Sequence, residues 1–373
     1  MTTSNSGGAP IEGLRASAYR IPTDFPEADG TYSWDATTLV VVQAKADGAT
    51  GLGYTYAGAS IVSLVRGPLR KATEGRDSFD IPGTWMAADR SVRNVGRSGL
   101  AACAISAIDA ALWDLKARTL GLPLATLLGR CRERVPIYGS GGFTTYSPEQ
   151  LRLQLRGWVE RDGCRFVKMK IGSEPDRDPQ RVKEAKSAIG NHELFVDANG
   201  AFSVKQALDF SRYCREADIR LFEEPVTSDD RPGLRLIRER APQSMEIAAG
   251  EYIFTCDDAR LLLEADAVDV LQADATRCGG ITGFLQIAAL CEAHHIDLSA
   301  HCAPAIHRHV GCAVPRLRHL EWFHDHVRIE QMLFDGAPVP RDGAIEPDLG
   351  RPGHGIEFKE KDAERFRIGG GLS

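Results

Sequence analysis

The 373-residue sequence predicts an α/β protein in which a closed β/α barrel follows a smaller α+β unit. The chain is longer than one small module, since a domain typically takes about 100–200 residues. From about residue 135 onward, short apolar runs alternate with amphipathic helical patterns, which is typical of a parallel sheet with crossover helices. The chain before that point instead shows alternating apolar positions around a tight-turn signal, which is typical of antiparallel strands.

The composition is that of a soluble globular protein and gives no reason to expect a polyanionic partner. Hydrophobic residues make up 43% and charged residues 26% of the chain, and 45 basic residues against 51 acidic ones give a net charge of −6. This mild acidity predicts neither nucleic acid nor an anionic membrane as a partner. No apolar run approaches the ~20 residues of a membrane-spanning helix and the N-terminus lacks a signal pattern, so we expect a cytoplasmic protein. The nine cysteines include no C-x-x-C pair, and we expect reduced thiols.

The first part of the chain predicts an antiparallel sheet with one long helix. Alternating apolar residues occupy positions 11–19 and 38–45, and an Asp-Gly turn at 47–48 leads into a third strand at 51–56. Residues 99–120 carry apolar side chains at helical spacing, and the glycine and proline that follow end the helix. These features together indicate an α+β unit.

Eight strands and the helices between them predict one closed barrel. The predicted strands are residues 135–138, 166–170, 194–197, 221–223, 247–250, 268–273, 296–300 and 320–322. The predicted helices include residues 148–161, 179–189, 204–217, 232–240, 257–264 and 282–294. The segment after residue 335 is rich in glycine and proline, and we expect it to return over the surface toward the first domain.

The strongest indication of function is a series of ionisable residues at the ends of seven consecutive predicted strands. Neighbouring members of the series are about one β/α unit apart in the chain. In a closed parallel barrel such residues converge at one mouth, where barrel active sites are built. The series consists of Lys168, Lys170, Asp197, Glu223, Glu251, Asp274, His301 and Glu321.

Three carboxylates of this series, Asp197, Glu223 and Glu251, predict a Mg²⁺ site. Converging carboxylates cannot easily stay ionised together unless a cation neutralises them. Mg²⁺ prefers carboxylate and water oxygens and does not require the His or Cys ligands that zinc favours. Asn199 points to the same side as Asp197 and either orients a ligand or a water, or serves as a turn residue before Gly200.

Two lysines precede these carboxylates by one strand. Lys168 and Lys170 alternate with Met169, so both ammonium groups face the same side of their strand. Because two cations and a nearby metal disfavour further positive charge, we expect the pKa of Lys170 to fall toward the range of a working base.

The remaining members of the series suggest a second proton-transfer group. A carboxylate at Asp274 that accepts one imidazole N–H of His301 leaves the other nitrogen free to move a proton, although a buried structural hydrogen bond is the alternative. Glu321 is either a protonated carboxyl that donates to a substrate oxygen or a surface acid before Trp322.

Two histidine pairs also resemble H-x-H metal motifs, His307 with His309 and His324 with His326. Both pairs lie beyond the seventh and eighth predicted strands, and no matching carboxylate occurs at the first strand. We therefore do not expect them to ligate a metal.

A set of longer motifs spans nearly the whole chain. It comprises the helix motif from Ala104 to Asp114, Lys168-Met169-Lys170, Asp197-Ala198-Asn199, Glu223-Glu224-Pro225, Gly250-Glu251, Asp274 with Gly279-Gly280-Ile281, His301 and Glu321. Together these motifs resemble the enolase superfamily, and within it the mandelate racemase group. The resemblance implies a modified TIM barrel, (β/α)7β, with an N-terminal α+β capping domain, so one of the eight β/α units should be irregular. We expect a flexible N-terminus at 1–10, the capping domain at 11–132, the barrel at 133–335 and a returning C-terminal segment at 336–373.

The same resemblance implies a role for each residue of the series. The Mg²⁺ ligands are Asp197, Glu223 and Glu251. Lys170 is one acid/base and the His301–Asp274 pair is the other, while Lys168 and Glu321 stabilise the substrate carboxylate as it becomes an enediolate. The metal and its cationic neighbours compensate the charge that makes this proton abstraction difficult.

The step after the enediolate decides the reaction. If His301 protonates a departing 3-hydroxyl, the enzyme is an acid-sugar dehydratase, which we favour because dehydratases are the commonest relatives with this residue set. If His301 returns a proton to carbon 2, the enzyme is a racemase or epimerase of a 2-hydroxy acid. A non-catalytic protein that binds metal and sugar acid is the third alternative. The polar segments 23–34 and 53–60 resemble substrate-selecting capping loops, and the family suggests a homo-oligomer.

Overall fold

The computed structural model describes residues 7–368, which form an antiparallel capping sheet and a closed parallel barrel. The capping sheet contains strands β1 (Gly13–Ala28), β2 (Ser33–Ala46) and β3 (Ala49–Tyr56). Asp47 and Gly48 connect β2 to β3 with positive φ angles of 48° and 73°, as expected for a two-residue hairpin turn. The hairpin predicted from the Asp-Gly pair is therefore present.

Helices cover one side of the capping sheet. They are α1 (Ile61–Leu64), a π-helical turn (Val65–Leu69), α2 (Arg70–Thr73), α3 (Ile81–Ser91), α4 (Leu100–Thr119) and α5 (Leu124–Leu127). The predicted long helix is α4, which packs directly on β3. Gly51 and Gly53 permit this contact, because a Cβ at either position would overlap the α4 backbone at Ala111 or Ala107.

Eight parallel strands form the barrel, as the alternating pattern predicts. They are β4 (Val135–Gly141), β5 (Phe166–Lys170), β6 (Glu193–Asp197), β7 (Ile219–Glu223), β8 (Glu246–Ala249), β9 (Val270–Ala273), β10 (Asp297–Ala300) and β11 (Leu317–Phe323). Pairing of β11 with β4 closes the barrel, with Leu320 opposite Ile137. Aromatic and aliphatic side chains, among them Tyr138 and Phe195, fill the interior below the mouth.

The barrel helices follow the strands in alternation. They are α6 (Pro148–Glu160), α7 (Asp178–Ile189), α8 (Val204–Glu216), α9 (Arg231–Arg240), α10 (Cys256–Glu264), α11 (Gly280–His294), α12 (Pro304–Val310) and α13 (His324–Leu333). Ser147, Ser203 and Thr255 begin α6, α8 and α10 with capping boxes. The seventh crossover is the irregular one, because α12 is short and continues into a 3₁₀ turn, Gly311–Ala313.

The C-terminal segment runs from the barrel to the capping sheet. It contains β12 (Phe334–Asp335), β13 (Ala344–Ile345), β14 (Glu357–Phe358), α14 (Glu360–Ala363), a 3₁₀ turn (Glu364–Phe366) and β15 (Arg367–Ile368). β13 pairs with β4, and β15 pairs with the outer edge of β1.

Part of the N-terminus predicted to be flexible, residues 1–6, lies outside the described residues, and Gly8 donates a hydrogen bond to Asp77. Within residues 7–368, no helix is long and apolar enough to cross a membrane.

Candidate active site

A cavity of about 350 Å³ lies between the capping sheet and the carboxyl ends of the barrel strands. Trp34, Thr37 and Tyr56 line it from the capping domain, while Lys170 and His301 line it from the barrel. All eight ionisable residues of the predicted series are buried at this end of the barrel. The structure therefore brings the whole series together at one end of the barrel, and four of its members, Lys170, Glu251, His301 and Glu321, line the cavity itself.

Lys168 and Lys170 project from β5 into a set of carboxylates. Lys168 Nζ lies 2.6 Å from Glu223 Oε2, 2.8 Å from Glu321 Oε1 and 3.2 Å from Asp197 Oδ2. Lys170 Nζ lies 2.6 Å from Asp197 Oδ2. Both ammonium groups face the same side, as the K-x-K alternation predicts.

The lowered pKa expected for Lys170 beside a bound metal ion stays a prediction, and the side chains by themselves shift this pKa in the opposite direction. Burial acts to lower the pKa of Lys170, but the adjacent Asp197 carboxylate outweighs both burial and the repulsion from Lys168, so the pKa is raised. The pKa of Lys168 is raised as well, because Glu223 and the other carboxylates outweigh its burial.

The three carboxylates expected to bind metal sit at the ends of β6 and β7 and just beyond β8. Each is held by different neighbours: Asp197 and Glu223 contact the lysines, while Glu251 Oε2 lies 3.1 Å from His301 Nε2. Burial, with the nearby Asp197 charge, raises the pKa of Glu223 to about 8, so a cation at this place is needed to keep the set ionised.

Several buried oxygens at this place have no hydrogen-bond partner within residues 7–368. They include Glu223 Oε1, Glu224 Oε1 and Asn199 Oδ1. Unsatisfied hard oxygen donors of this kind fit a cation such as Mg²⁺. Asn199 also adopts a positive φ of 46°, and its amide lines the cavity, so it is both the turn residue and a cavity residue.

His301 and Asp274 form a hydrogen-bonded pair between the ends of β10 and β9. His301 Nδ1 lies 2.8 Å from Asp274 Oδ2, and the other oxygen of Asp274 accepts hydrogen bonds from the Thr276 N–H and hydroxyl. Burial acts to raise the pKa of Asp274, but the bond to His301 outweighs it and the pKa is lowered. Burial acts to lower the pKa of His301, yet its anionic neighbours outweigh it and the pKa is raised.

Glu321 is neither a surface acid nor a protonated carboxyl in this arrangement. Its carboxylate is buried at the end of β11, where Ser140 donates a hydrogen bond of 2.6 Å to Oε1. Burial acts to raise the pKa of Glu321, but Lys168 at 2.8 Å outweighs it, so the pKa is lowered and the group is ionised. The proposal of a protonated Glu321 made from the sequence is therefore corrected.

The histidine pairs divide into structural and cavity-facing members. His307 bonds to Cys302 O and accepts from the Ala275 N–H, and His309 bonds to His354 O, so both are buried within hydrogen-bond networks. His324 contacts Asp24 across the domain boundary, whereas His326 stacks on Tyr56 and lines the cavity. Burial lowers the pKa of His326 to about 3, so its ring is neutral.

Two further buried residues directly follow recognised site residues, and one of them, Cys302, lines the cavity. Cys302 comes after His301, and its thiol lies 3.3 Å from both His301 Nε2 and Glu321 Oε2. Glu224 comes after Glu223, is buried, and has a positive φ of 38°. Glu224 belongs to the Glu223-Glu224-Pro225 motif, whereas adjacency to His301 at a strand end is the local signal for Cys302.

The capping segment 23–34 is a strand end and a tight turn rather than a loop. β1 continues to Ala28, and the Asp29 carboxylate accepts hydrogen bonds from the backbone N–H groups of Thr31 and Tyr32. Within this hairpin Glu27 is fully buried and accepts a 2.8 Å hydrogen bond from Trp34. In the second segment, 53–60, β3 continues to Tyr56, and both segments supply residues to the cavity wall.

Burial, reinforced by the charge of Asp325, raises the pKa of Glu27 to about 9. Glu27 is thus protonated in the folded protein near pH 7 but ionised in the unfolded chain, so its stability contribution is full below pH ~4.5 and is lost as pH rises toward 9. We expect Glu27→Gln to raise the free energy of unfolding by up to about 3 kcal/mol at pH 7, with little change at pH 4. Urea unfolding at both pH values measures this, with the exposed Glu160→Gln as control. An equal effect of Glu27→Gln at both pH values would contradict it.

Family models match both parts of the chain. The model described as Mandelate racemase / muconate lactonizing enzyme, N-terminal domain, matches residues 19–129, and the model described as Enolase C-terminal domain-like matches residues 150–363. The chain therefore belongs to the mandelate racemase/muconate lactonizing enzyme family of the enolase superfamily, as its motifs indicate.

Two curated relatives match over most of their length. The 3,6-anhydro-alpha-L-galactonate cycloisomerase of Streptomyces coelicolor is 32% identical over 96% of this chain and 100% of its own. The L-talarate/galactarate dehydratase of Salmonella typhimurium is 30% identical over 90% of this chain and 87% of its own. The two relatives are named for different reactions, a cycloisomerisation and a dehydration.

Solved structures agree with this assignment. A mandelate racemase/muconate lactonizing enzyme-like protein from Rubrobacter xylanophilus superimposes with a TM-score of 0.94 at 51% identity, covering 96% of this chain and all of its own. A racemase from Streptomyces coelicolor with bound magnesium has a TM-score of 0.90 at 31% identity, with the same coverage.

Proposed function

We propose that this protein is a Mg²⁺-dependent enzyme that removes the proton next to the carboxylate of a sugar acid and then eliminates water. The observation that carries the proposal is the placement of two separate proton-transfer groups on one cavity. Lys170 reaches the cavity from β5 and the His301–Asp274 pair reaches it from β10 and β9, with the metal-binding carboxylates between them. A protein that only binds its ligand has no need of two such groups.

Asp197, Glu223 and Glu251 would hold the metal. The unpartnered oxygens of Glu223 and Asn199 support this choice. Related structures contain the ion, including an L-talarate/galactarate dehydratase mutant liganded with Mg and L-glucarate, at 29% identity and a TM-score of 0.90. When bound, Mg²⁺ supplies positive charge that offsets the charge developing on the substrate carboxylate.

The chain's own residues then divide the proton transfers. Lys170 would take the proton from carbon 2 as the neutral amine, a form that the added positive charge of a bound cation would favour over the ammonium, while Lys168 donates hydrogen bonds to the carboxylate oxygens that gain charge in the enediolate. His301 donates the proton on Nε2 to the 3-hydroxyl as its C–O bond breaks, so that water leaves. The resulting enol becomes a 2-keto-3-deoxy acid. Asp274 holds the imidazole in the orientation that this transfer requires.

Racemisation or epimerisation of a 2-hydroxy acid is the second candidate, and cycloisomerisation is a related outcome. The same residues serve all three reactions, because only the fate of the enediolate differs. The Streptomyces coelicolor relative, at 32% identity, is named as a cycloisomerase, which supports an isomerase as the second candidate.

Proton NMR in D₂O with Mg²⁺ and a panel of mono- and dicarboxylic sugar acids tests the proposal. We expect one acid to disappear as a 2-keto-3-deoxy product forms. Exchange of the carbon-2 proton with appearance of the epimer and no loss of water would assign a racemase or epimerase. Absence of both exchange and product across the panel would count against the enzymatic proposal.

A further inference from the structure

The Cys302 thiol lies between the two catalytic-site residues His301 and Glu321. Its Sγ is 3.3 Å from His301 Nε2 and 3.3 Å from Glu321 Oε2, and the nitrogen and oxygen are 3.5 Å apart. All three residues are buried, and all three line the substrate cavity. Sulfur, nitrogen and oxygen donors thus form one compact triangle with an open side.

The edges of this triangle match those of a tetrahedral zinc site. Zinc binds sulfur at about 2.3 Å, imidazole nitrogen at about 2.0–2.1 Å and carboxylate oxygen at about 2.0–2.2 Å. At tetrahedral angles these bond lengths place sulfur roughly 3.5–3.7 Å from the nitrogen and the oxygen, and place the nitrogen and oxygen roughly 3.3–3.5 Å apart. The observed nitrogen–oxygen separation of 3.5 Å agrees with this geometry, and the two sulfur separations of 3.3 Å require the thiol to move outward by only a few tenths of an ångström, roughly, to take up the ion.

Hydrogen bonds outside the triangle already orient its members. His301 Nδ1 bonds to Asp274, and this carboxylate–histidine arrangement supports the histidine ligand in many zinc sites. The other nitrogen, Nε2, lies between the triangle and Glu251 Oε2, which is 3.1 Å away. Glu321 Oε1 is held by Ser140 and Lys168, which leaves Oε2 directed at the same point.

The backbone conformation at Cys302 and Ala303 holds the Cys302 thiol in place. Cys302 and the following Ala303 both have positive φ angles, 52° and 42°. Residues other than glycine rarely adopt positive φ angles, because this backbone conformation is strained. It persists only where the surrounding structure imposes it. The thiol is therefore held between its neighbours by the path of the chain into α12.

We propose that His301, Cys302 and Glu321 form a binding site for a thiophilic divalent cation, Zn²⁺, which shares no ligand with the proposed Mg²⁺ site but adjoins it, since His301 Nε2 lies 3.1 Å from Glu251 Oε2. The fourth position faces the cavity and takes a water. Coordination releases the thiol proton, and any proton on His301 Nε2, to solvent. The ion thereby occupies the nitrogen that moves protons, so Zn²⁺ inhibits the enzyme. This inhibition rests on the proposed function of His301, whereas the binding itself does not.

Cobalt(II) spectroscopy of the full chain, saturated with Mg²⁺, tests the site. Co²⁺ substitutes for zinc, and a thiolate ligand produces a charge-transfer band in the near ultraviolet. We expect one such Co²⁺ per chain, displaced by Zn²⁺, and loss of the band in Cys302→Ser. Cys131→Ser, which removes an exposed thiol, is the matched control and should keep the band. A second group of candidate ligands, Asp24, Glu27 and His324, contains no sulfur and cannot produce it.

Inhibition provides the second readout. Cys302→Ser should raise the Zn²⁺ concentration for half-inhibition by about 100-fold or more, measured against that variant's own zinc-free rate. Absence of a thiolate band in the unaltered protein, or a band or zinc sensitivity unchanged in Cys302→Ser, would overturn the proposal. A band that depends on Cys302 in a protein that turns over no sugar acid would establish the metal site and reject the enzymatic function.

Discussion

Replacing Lys170 with methionine should lower kcat for the dehydration by about 10²- to 10⁴-fold, because the substitution removes the group that takes the carbon-2 proton. Methionine retains most of the side-chain volume in the buried position. Mg²⁺ binding should persist, because Lys170 competes for Asp197 Oδ2 and supplies no ligand to the ion. Exchange of the carbon-2 proton in D₂O should fall together with kcat.

Lys183→Met is the matched control, since Lys183 is exposed on α7 far from the cavity. Isothermal titration calorimetry of Lys170→Met with Mg²⁺ distinguishes the two causes of lost activity. A variant that lacks only the base still binds Mg²⁺, whereas a misfolded variant does not. If Lys170→Met retains turnover within a few-fold of the unaltered protein, Lys170 is not the base. A protein that only binds its ligand would show a change in affinity and nothing else.

Replacing His301 with asparagine should separate the two halves of the reaction. Dehydration should fall by about 10²- to 10⁴-fold, since the group that protonates the departing hydroxyl is gone. Exchange of the carbon-2 proton should continue, because Lys170 still removes it. One-dimensional NMR in D₂O records both rates on the same sample, and the exposed His294→Asn serves as control.

Asp274→Asn should reduce dehydration by acting through the same imidazole. The effects of His301→Asn and Asp274→Asn should therefore be far from additive in the double variant, because the 2.8 Å pair works as a unit. Simultaneous loss of exchange and dehydration in His301→Asn would show that His301, rather than Lys170, removes the carbon-2 proton. Additive effects in the double variant would contradict the assignment of Asp274 as the positioning residue of His301.

The barrel could be predicted from the sequence because its signals are local. Each strand is a short apolar run, each helix has its own periodicity and cap, and the site residues occur where runs end. The sequence therefore predicts that Asp197, Glu223 and Glu251 lie together. Strand ends in a closed parallel barrel share one mouth, so position along the chain already indicates position in space.

Some features of the site depend on distances between strands, which the sequence does not contain. The pKa of Lys170 is raised rather than lowered because Asp197 on the next strand lies 2.6 Å away. Glu321 is ionised because Lys168 reaches it across the barrel interior. A pKa depends on the sum of all nearby charges and on burial, and a pattern that identifies some of the charges cannot give the sign of that sum.

The sequence by itself therefore determined the barrel, the family motifs and the set of residues at the mouth, because these follow from local periodicity and from strand ends. Only the tertiary structure decided the ionisation of Glu321, the dual place of Asn199 in turn and cavity, and the position of the Cys302 thiol between His301 and Glu321. Barrel closure and the path of the backbone into α12 fix these positions. Hydrogen bonding and electrostatic interaction depend on the distances between the groups, so the chemistry of the site is decided by packing between segments far apart in the chain.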